Sequence, residues 1–133
     1  MNQISQQVEI QWPLTALFNY VSDITNNPEW QNNVVKSEWI KRTGNRVGST
    51  FAEIRNIKGH ESFAEIKVTE FVPNQKRTIK VNSEAQVLCS MQFVPLSNEE
   101  TKLILQLTWD KNEEPEAGFD LLKLKEILEN NYC

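Results

Sequence analysis

Cysteine is scarce in this chain of 133 residues, with Cys89 inside an apolar stretch and Cys133 at the last position. Two cysteines so placed exclude the disulfide framework that staples small secreted domains, and nothing in the sequence supports a bridge between them. Histidine occurs once, as His60. One histidine with both cysteines distant in sequence is too few ligands for a zinc site, so no metal and no other cofactor is expected. Long apolar runs are also missing, since no stretch approaches the ~18 residues that span a bilayer. The opening Met1-Asn2-Gln3-Ile4 has neither the basic nor the apolar region of a secretory leader, which makes the cytoplasm the expected location. Positive charge is short as well: 14 Lys and Arg against 18 Asp and Glu leave a net charge of -4. No basic face is therefore available to displace counterions from phosphates, and no nucleic-acid partner is expected. Neither a Gly-Lys-Ser/Thr phosphate loop nor a Gly-x-Ser-x-Gly elbow is present.

What the chain does have is a globular composition. Hydrophobic residues make up 39% of it, and much of its polarity comes from 14 Asn and 9 Gln, an amide-rich surface rather than a disordered one. Its length suits one domain, 1–133, with a single core. Val8 and Ile10 alternate with Glu9 and Gln11, the period of a half-buried strand over 4–10. Pro13 fits the first turn of a helix, and Leu14, Leu17, Phe18 and Val21 form one apolar stripe on it. Asp23 and Asn26-Asn27 before Pro28 stop that helix and cap a second, short one over 28–33 that carries Trp30.

From residue 34 onward the pattern is strands divided by turn residues: 34–42, 48–57, 60–72, 76–81, 85–94 and 101–109. Their connectors are too short for parallel crossovers, so the sheet is an antiparallel meander. Val87, Cys89, Met91 and Phe93 share one parity, as do Leu103, Leu105, Leu107 and Trp109, which gives the sheet one apolar face. In the long strand Ala64, Ile66 and Val68 take that face, with Phe63, Glu65, Lys67 and Thr69 opposite. The cover is a closing helix opening near Pro115, where Ala117, Leu121, Leu124 and Leu128 line one sector with Ile127 beside them. Gly118 is unfavourable inside a helix by about 1 kcal/mol relative to Ala, which moves the regular start toward Phe119. The charged run 110–116 reads as a solvated loop.

This order of elements, together with particular residues, resembles a known group. Trp12-Pro13-Leu14-Thr15-Ala16-Leu17-Phe18-Asn19-Tyr20-Val21-Ser22-Asp23 followed by Asn27-Pro28-Glu29-Trp30 resembles the opening of the START-like (SRPBCC, Bet v 1-like) superfamily, in its bacterial polyketide cyclase/dehydrase-like branch. Val47-Gly48-Ser49, Val68-Thr69-Glu70-Phe71-Val72-Pro73, Phe93-Val94-Pro95 with Glu100-Thr101-Lys102-Leu103, and the closing Leu122 to Glu129 stretch match in the same order. The resemblance implies an α+β helix-grip fold: a curved seven-stranded antiparallel sheet, with two short helices after the first strand, wrapping a C-terminal helix. It also implies a cavity between sheet and helix for a lipid, polyketide-like or other hydrophobic small molecule. The group includes carriers, cyclases and interaction modules, so a cyclase/dehydratase-type enzyme and a protein-interaction module are the alternatives.

For the binding reading the expected pocket residues are Trp30, Met91, Phe93, Leu105, Leu107, Trp109, Leu121 and Leu124, because aromatic and aliphatic side chains line apolar pockets as readily as they fill cores. For the enzymatic reading the weak catalytic candidates are His60, Arg55 and Glu53, able to polarise a carbonyl and move a proton. Each has a plainer role. His60 follows Gly59 in a hairpin turn, where an exposed imidazole is the rule. Glu61 and Glu65 share the solvated parity of Lys67 and so do not pair with Glu53. Arg55 is expected in a cross-strand surface ion pair. Cys89, among Val87, Met91 and Phe93, reads as a buried, inert thiol. Phe119 and Leu122, off the stripe of the closing helix, are the candidate contact of a homodimer.

Overall fold

A computed structural model describes residues 2–82, 86–110 and 118–130. Strand β1 (Asn2–Ile10) leads into helix α1 (Leu14–Ser22), a 3-10 turn (Ile24–Asn26) and the single-turn helix α2 (Asn27–Trp30). Six strands follow: β2 (Val34–Lys41), β3 (Thr50–Ile57), β4 (His60–Val72), β5 (Lys76–Val81), β6 (Leu88–Pro95) and β7 (Thr101–Trp109). Helix α3 (Leu121–Asn130) closes the chain. The strands form one sheet in the order β1-β7-β6-β5-β4-β3-β2, every neighbour antiparallel. This is the expected α+β helix-grip arrangement. Among the described residues no helix is long and apolar enough to cross a membrane.

The alternation read from the sequence is the cause of the core. In β7, Leu103, Leu105, Leu107 and Trp109 are buried on one face, beside Cys89, Met91 and Phe93 of β6, while Phe63 on the opposite face of β4 is 67% exposed. Leu17, Phe18 and Val21 of α1 and Leu121, Leu124 and Leu128 of α3 cover the apolar face. Each such side chain contributes roughly 1.5–3 kcal/mol by leaving water.

Two strands depart from simple alternation. Bulges interrupt β2 between Val34 and Lys36 and again between Trp39 and Lys41, and β4 between Val68 and Glu70. An extra residue reverses which face the following side chains take. Val34 is buried and so is Ser37, an odd number of positions on; likewise Ile66 and Val68 are followed inward by Phe71, which pairs with Arg77 across the β4–β5 ladder.

Several expected boundaries move for physical reasons. Pro13 is the N-terminal cap of α1 rather than part of its first turn. Helix α2 ends at Trp30, not 33, because Gln31 turns extended and pairs with Phe119. The strands expected over 34–42 and 48–57 are β2 and β3, shortened by the loop that holds Gly48 and Ser49; the one over 85–94 is β6. In that loop Gly48 at φ +87 donates its N–H to the Val68 carbonyl at 2.8 Å. Pro115, Ala117, the 110–116 run beyond Asp110, Ala85 and Cys133 lie outside the described residues.

Gly118 precedes α3 rather than interrupting it. Its carbonyl accepts from the Asn32 N–H at 2.8 Å. A Cβ at this position would fall on Asn33 Oδ1 and within 2.7 Å of the Asn33 backbone nitrogen. Asp120 then caps α3, its Oδ1 accepting from the Lys123 N–H at 3.0 Å and its Oδ2 from the Asn32 amide at 3.1 Å. Phe119, expected to be exposed, packs on Trp30 with ring centroids 6.0 Å apart; Leu122 is 74% exposed. Gly118→Ala is expected to cost about 1–3 kcal/mol, because backbone and not only side chain must shift. Urea denaturation measures this, and an unchanged midpoint would contradict the close approach.

Candidate functional site

A cavity of about 470 Å³ opens against the β2–β5 half of the sheet. Its helical wall is Asn19 and Ser22 of α1, with Asp23 and Thr25 next to them. Its sheet wall is Trp39 of β2, Val68 and Phe71 of β4, and Arg77 of β5, with Arg42 and Arg46 from the β2–β3 loop at the rim. The bulges supply the aromatic lining, because they turn Trp39 and Phe71 toward the helices. Phe71 meets Phe18 edge-on at 5.3 Å, and Phe18 meets Phe93 at 4.9 Å, which joins the cavity wall to the core. Trp39 stacks edge-on against Phe51 at 5.7 Å, and the Arg42 guanidinium lies 5.3 Å from the Trp39 ring.

The rim loop is held by its own hydrogen bonds. Thr43 N–H donates to Ser49 Oγ at 2.9 Å, Thr43 Oγ1 to the Val47 carbonyl at 2.8 Å, and Val68 N–H to the Ser49 carbonyl at 2.8 Å. Arg46 takes a positive φ of 71° in this loop.

Arg77 is the unusual member. It is 3% exposed, its guanidinium lies 6.0 Å from the Phe51 ring, and its Nη2 has no hydrogen-bond partner among the described residues. Burial pushes it down to about 10, against the opposing pull of Cys89 and Glu53, so it remains charged at neutral pH. Burial likewise pushes the Cys89 thiol up to about 12, despite the nearby Arg77. Cys89 is therefore a neutral, enclosed thiol, in accord with its expected inertness. In a Cys133→Ser variant, thiol labelling of Cys89 at pH 8 is expected to be slower by orders of magnitude in native buffer than in denaturant; equal rates would contradict its burial.

Of the residues expected to line a pocket, Trp30, Met91, Phe93, Leu105, Leu107, Trp109, Leu121 and Leu124 all belong to one buried core cluster. None of the eight is among the residues that line the cavity above. The seam beneath α3 is occupied by these side chains, Trp30 and Leu124 at 0% exposure and Trp109 at 5%. The cavity lies instead beside α1 and the turn after it.

The catalytic candidates are not brought together. His60 is exposed at the start of β4, in the β3–β4 hairpin. Glu61 and Glu65 are exposed on the outer face. Glu53 is 2% exposed and paired inside its own strand rather than across the surface: Arg55 reaches Glu53 Oε1 through Nε at 3.1 Å and Nη2 at 2.8 Å, and Asn27 Nδ2 donates to Oε2 at 2.9 Å. The Arg55 pair is thus not the expected cross-strand one, because positions two apart on a strand share a face and this face is buried. Neither residue lines the cavity. Among the described residues no three His, Cys, Asp or Glu side chains converge as metal ligands.

Sequence reasoning passed over Arg77, Arg42 and Arg46. Arg77 had a legible sign: it is in phase with Ile79 and Val81 on β5, a charge on the apolar parity.

The architecture and the cavity together define a helix-grip protein with an open cleft beside its first helix. A family model described as "Polyketide cyclase / dehydrase and lipid transport" matches residues 1–130, and the chain belongs to that family. Solved structures agree on the fold. A START superfamily protein from Mycobacterium smegmatis is 18% identical with a TM-score of 0.71, over 97% of this chain and 90% of that one. The Zhui aromatase/cyclase from Streptomyces sp. R1128 is 12% identical with a TM-score of 0.72, over 97% and 82%. DR_A0006 from Deinococcus radiodurans is 12% identical with a TM-score of 0.68, over 98% and 94%. At such identities the likeness is one of fold. No curated protein matches the chain in sequence.

The Glu53 cluster generates a stability prediction. Glu53→Ala strands the Arg55 guanidinium and the Asn27 amide, and is expected to cost about 2–3 kcal/mol, the lower part of the range for breaking a buried pair because Arg55 keeps partial solvent contact. Glu53→Gln, which still accepts from Asn27, costs less. Denaturant midpoints that rank the two variants the other way would refute the assignment.

Proposed function

We propose that the protein binds a small molecule with a substantial apolar part, of lipid or polyketide-like type, in the cavity between α1 and strands β2, β4 and β5. The observation that carries this is the cavity itself: about 470 Å³, within the 300–1,000 Å³ usual for small-molecule sites, and walled by Trp39, Val68 and Phe71. Family membership supports the reading, since its description joins lipid transport with polyketide chemistry.

Turnover of a ligand in the same cavity is the second reading, favoured by the aromatase/cyclase among the structural neighbours. It needs a group that moves a proton, and the one carboxylate on the described wall, Asp23, already accepts from Thr25 N–H at 3.1 Å and Thr25 Oγ1 at 2.6 Å. Binding without chemistry is therefore the stronger proposal. An interaction role, with a homodimer through Leu122, is a third possibility that light scattering across a concentration series decides.

Trp39 makes the binding reading testable. Titration with long-chain fatty acids, sterols and aromatic polyketides is expected to give saturable tryptophan quenching for at least one class. Trp39→Phe removes most of that signal, and Asn19→Phe, at an exposed position of the helical wall, weakens binding by about tenfold or more. Flat titrations with all three classes would overturn the proposal.

A further inference from the structure

A charged group sealed in a protein interior is normally paired, because desolvation costs far more than an unpaired charge can recover. Arg77 breaks that rule at the cavity wall. Its Nη2 has no partner among the described residues. Among the described residues no carboxylate pairs with Arg77: both oxygens of Glu53 are taken by Arg55 and Asn27, and Asp23 turns its Oδ1 to Thr25. The thiol of Cys89 is neutral.

Ser22 Oγ, on the helical wall of the same cavity, is also buried and, among the described residues, without a hydrogen-bond partner. Two orphaned donors on opposite walls of one space have a common explanation in an acceptor supplied from outside the chain. Arg42 and Arg46 at the rim add two guanidinium groups that, among the described residues, form no ion pair. The lining therefore carries three positive charges against the single carboxylate of Asp23, in a chain whose net charge is -4. Such local inversion of sign focuses the field into the cleft and draws anions toward it.

We propose that the cavity takes an anionic amphiphile, a molecule whose carboxylate or phosphate head is held by Arg77 and Ser22 while its apolar body lies along Trp39, Val68 and Phe71. This rests on the reading of the cavity as a ligand site and adds the charge and orientation of the ligand. Arginine suits the role, because its planar fork matches both head groups with two parallel hydrogen bonds. Arg42 and Arg46 act at longer range, guiding the head inward.

Calorimetric titration with decanoate, decyl phosphate, 1-decanol and acetate tests the assignment. At least one of the two anionic amphiphiles is expected to bind the wild-type protein about tenfold or more tighter than decanol, as a charge-assisted bidentate contact implies; the tighter of the two identifies the head group. Acetate, a head without a body, is expected to bind far more weakly than decanoate. Arg77→Met should bring the anions down to the affinity of the alcohol, and its thermal midpoint without ligand should be no lower than that of wild type, since an orphaned charge is removed. Decanol binding as tightly as both anions, or acetate as tightly as decanoate, would overturn the proposal and leave the cavity reading standing. Failure of every amphiphile to bind would overturn both. The wild-type comparison decides the matter even if the variant does not fold.

Discussion

The carboxylate of Glu53 is the interaction on which the assembly of helices and sheet depends. It projects from β3 into the interior, where it receives the Asn27 side chain at the first position of α2. That acceptor ties the start of segment 27–33 to the sheet. From there the chain of contacts runs outward: Trp30 packs on Phe119, Gln31 pairs with Phe119, Asn32 bonds both the Gly118 carbonyl and Asp120, and the Asn33 carbonyl receives the Asn56 N–H at 2.9 Å. Helix α3 thus begins where segment 27–33 permits it to begin. Arg55 neutralises the carboxylate from the same strand, which is how a buried acid is tolerated there.

The fold then divides into a filled half and a hollow half. Helix α3 has 10 residues, about 15 Å of rod at 1.5 Å per residue. It is tied to the β1 edge, where Lys125 Nζ donates to the Glu9 carbonyl at 2.7 Å, Trp12 Nε1 to the Leu128 carbonyl at 2.9 Å, and the Gln11 N–H to Glu129 at 2.8 Å. Its leucines are spent on the core near that edge. The cavity wall toward β2 is instead α1 and the turn after it, whose last residues are the small polar Ser22, Asp23 and Thr25. Large apolar side chains there would close the space, as Leu17 and Phe18 close it one turn earlier.

The architecture was legible because the residues that make it obey one period at a time. The long strand over 60–72, the strand over 76–81 and the last one over 101–109 were each bounded by turn residues and alternate without interruption over most of their length, and those limits are the observed ones. The cavity was not legible for the opposite reason. Trp39 and Phe71 reach it through bulges, and a bulge cancels the parity by which faces are read; Arg42 and Arg46 reach it from a loop that has no period. Gly118 was legible as a residue outside the regular helix but not as a close contact: nothing in the local sequence says that Asn33, some eighty positions earlier, lies against it. Only Arg77 stood in plain view, a charge in step with Ile79 and Val81.

A helix-grip sheet shared at 12–18% identity with proteins from distant bacteria owes its persistence to pattern rather than to particular side chains, since hydrophobic residues of suitable size and phase are enough to specify such a layer. Function must then reside where the pattern is broken. In this chain the breaks coincide in space: the bulges after Trp39 and after Val68, a loop held in a left-handed turn, and a guanidinium on the apolar parity all border one cavity. Each is unfavourable to folding on its own, the bulges through unpaired ladder groups, Arg46 through its positive φ, and Arg77 through desolvation. A sequence free of any demand on that surface would replace Arg77 by methionine or leucine at little cost in shape. Its presence beside the space, rather than at the sheet's solvated face where Lys76 and Lys80 stand, is what separates a site from a packing defect.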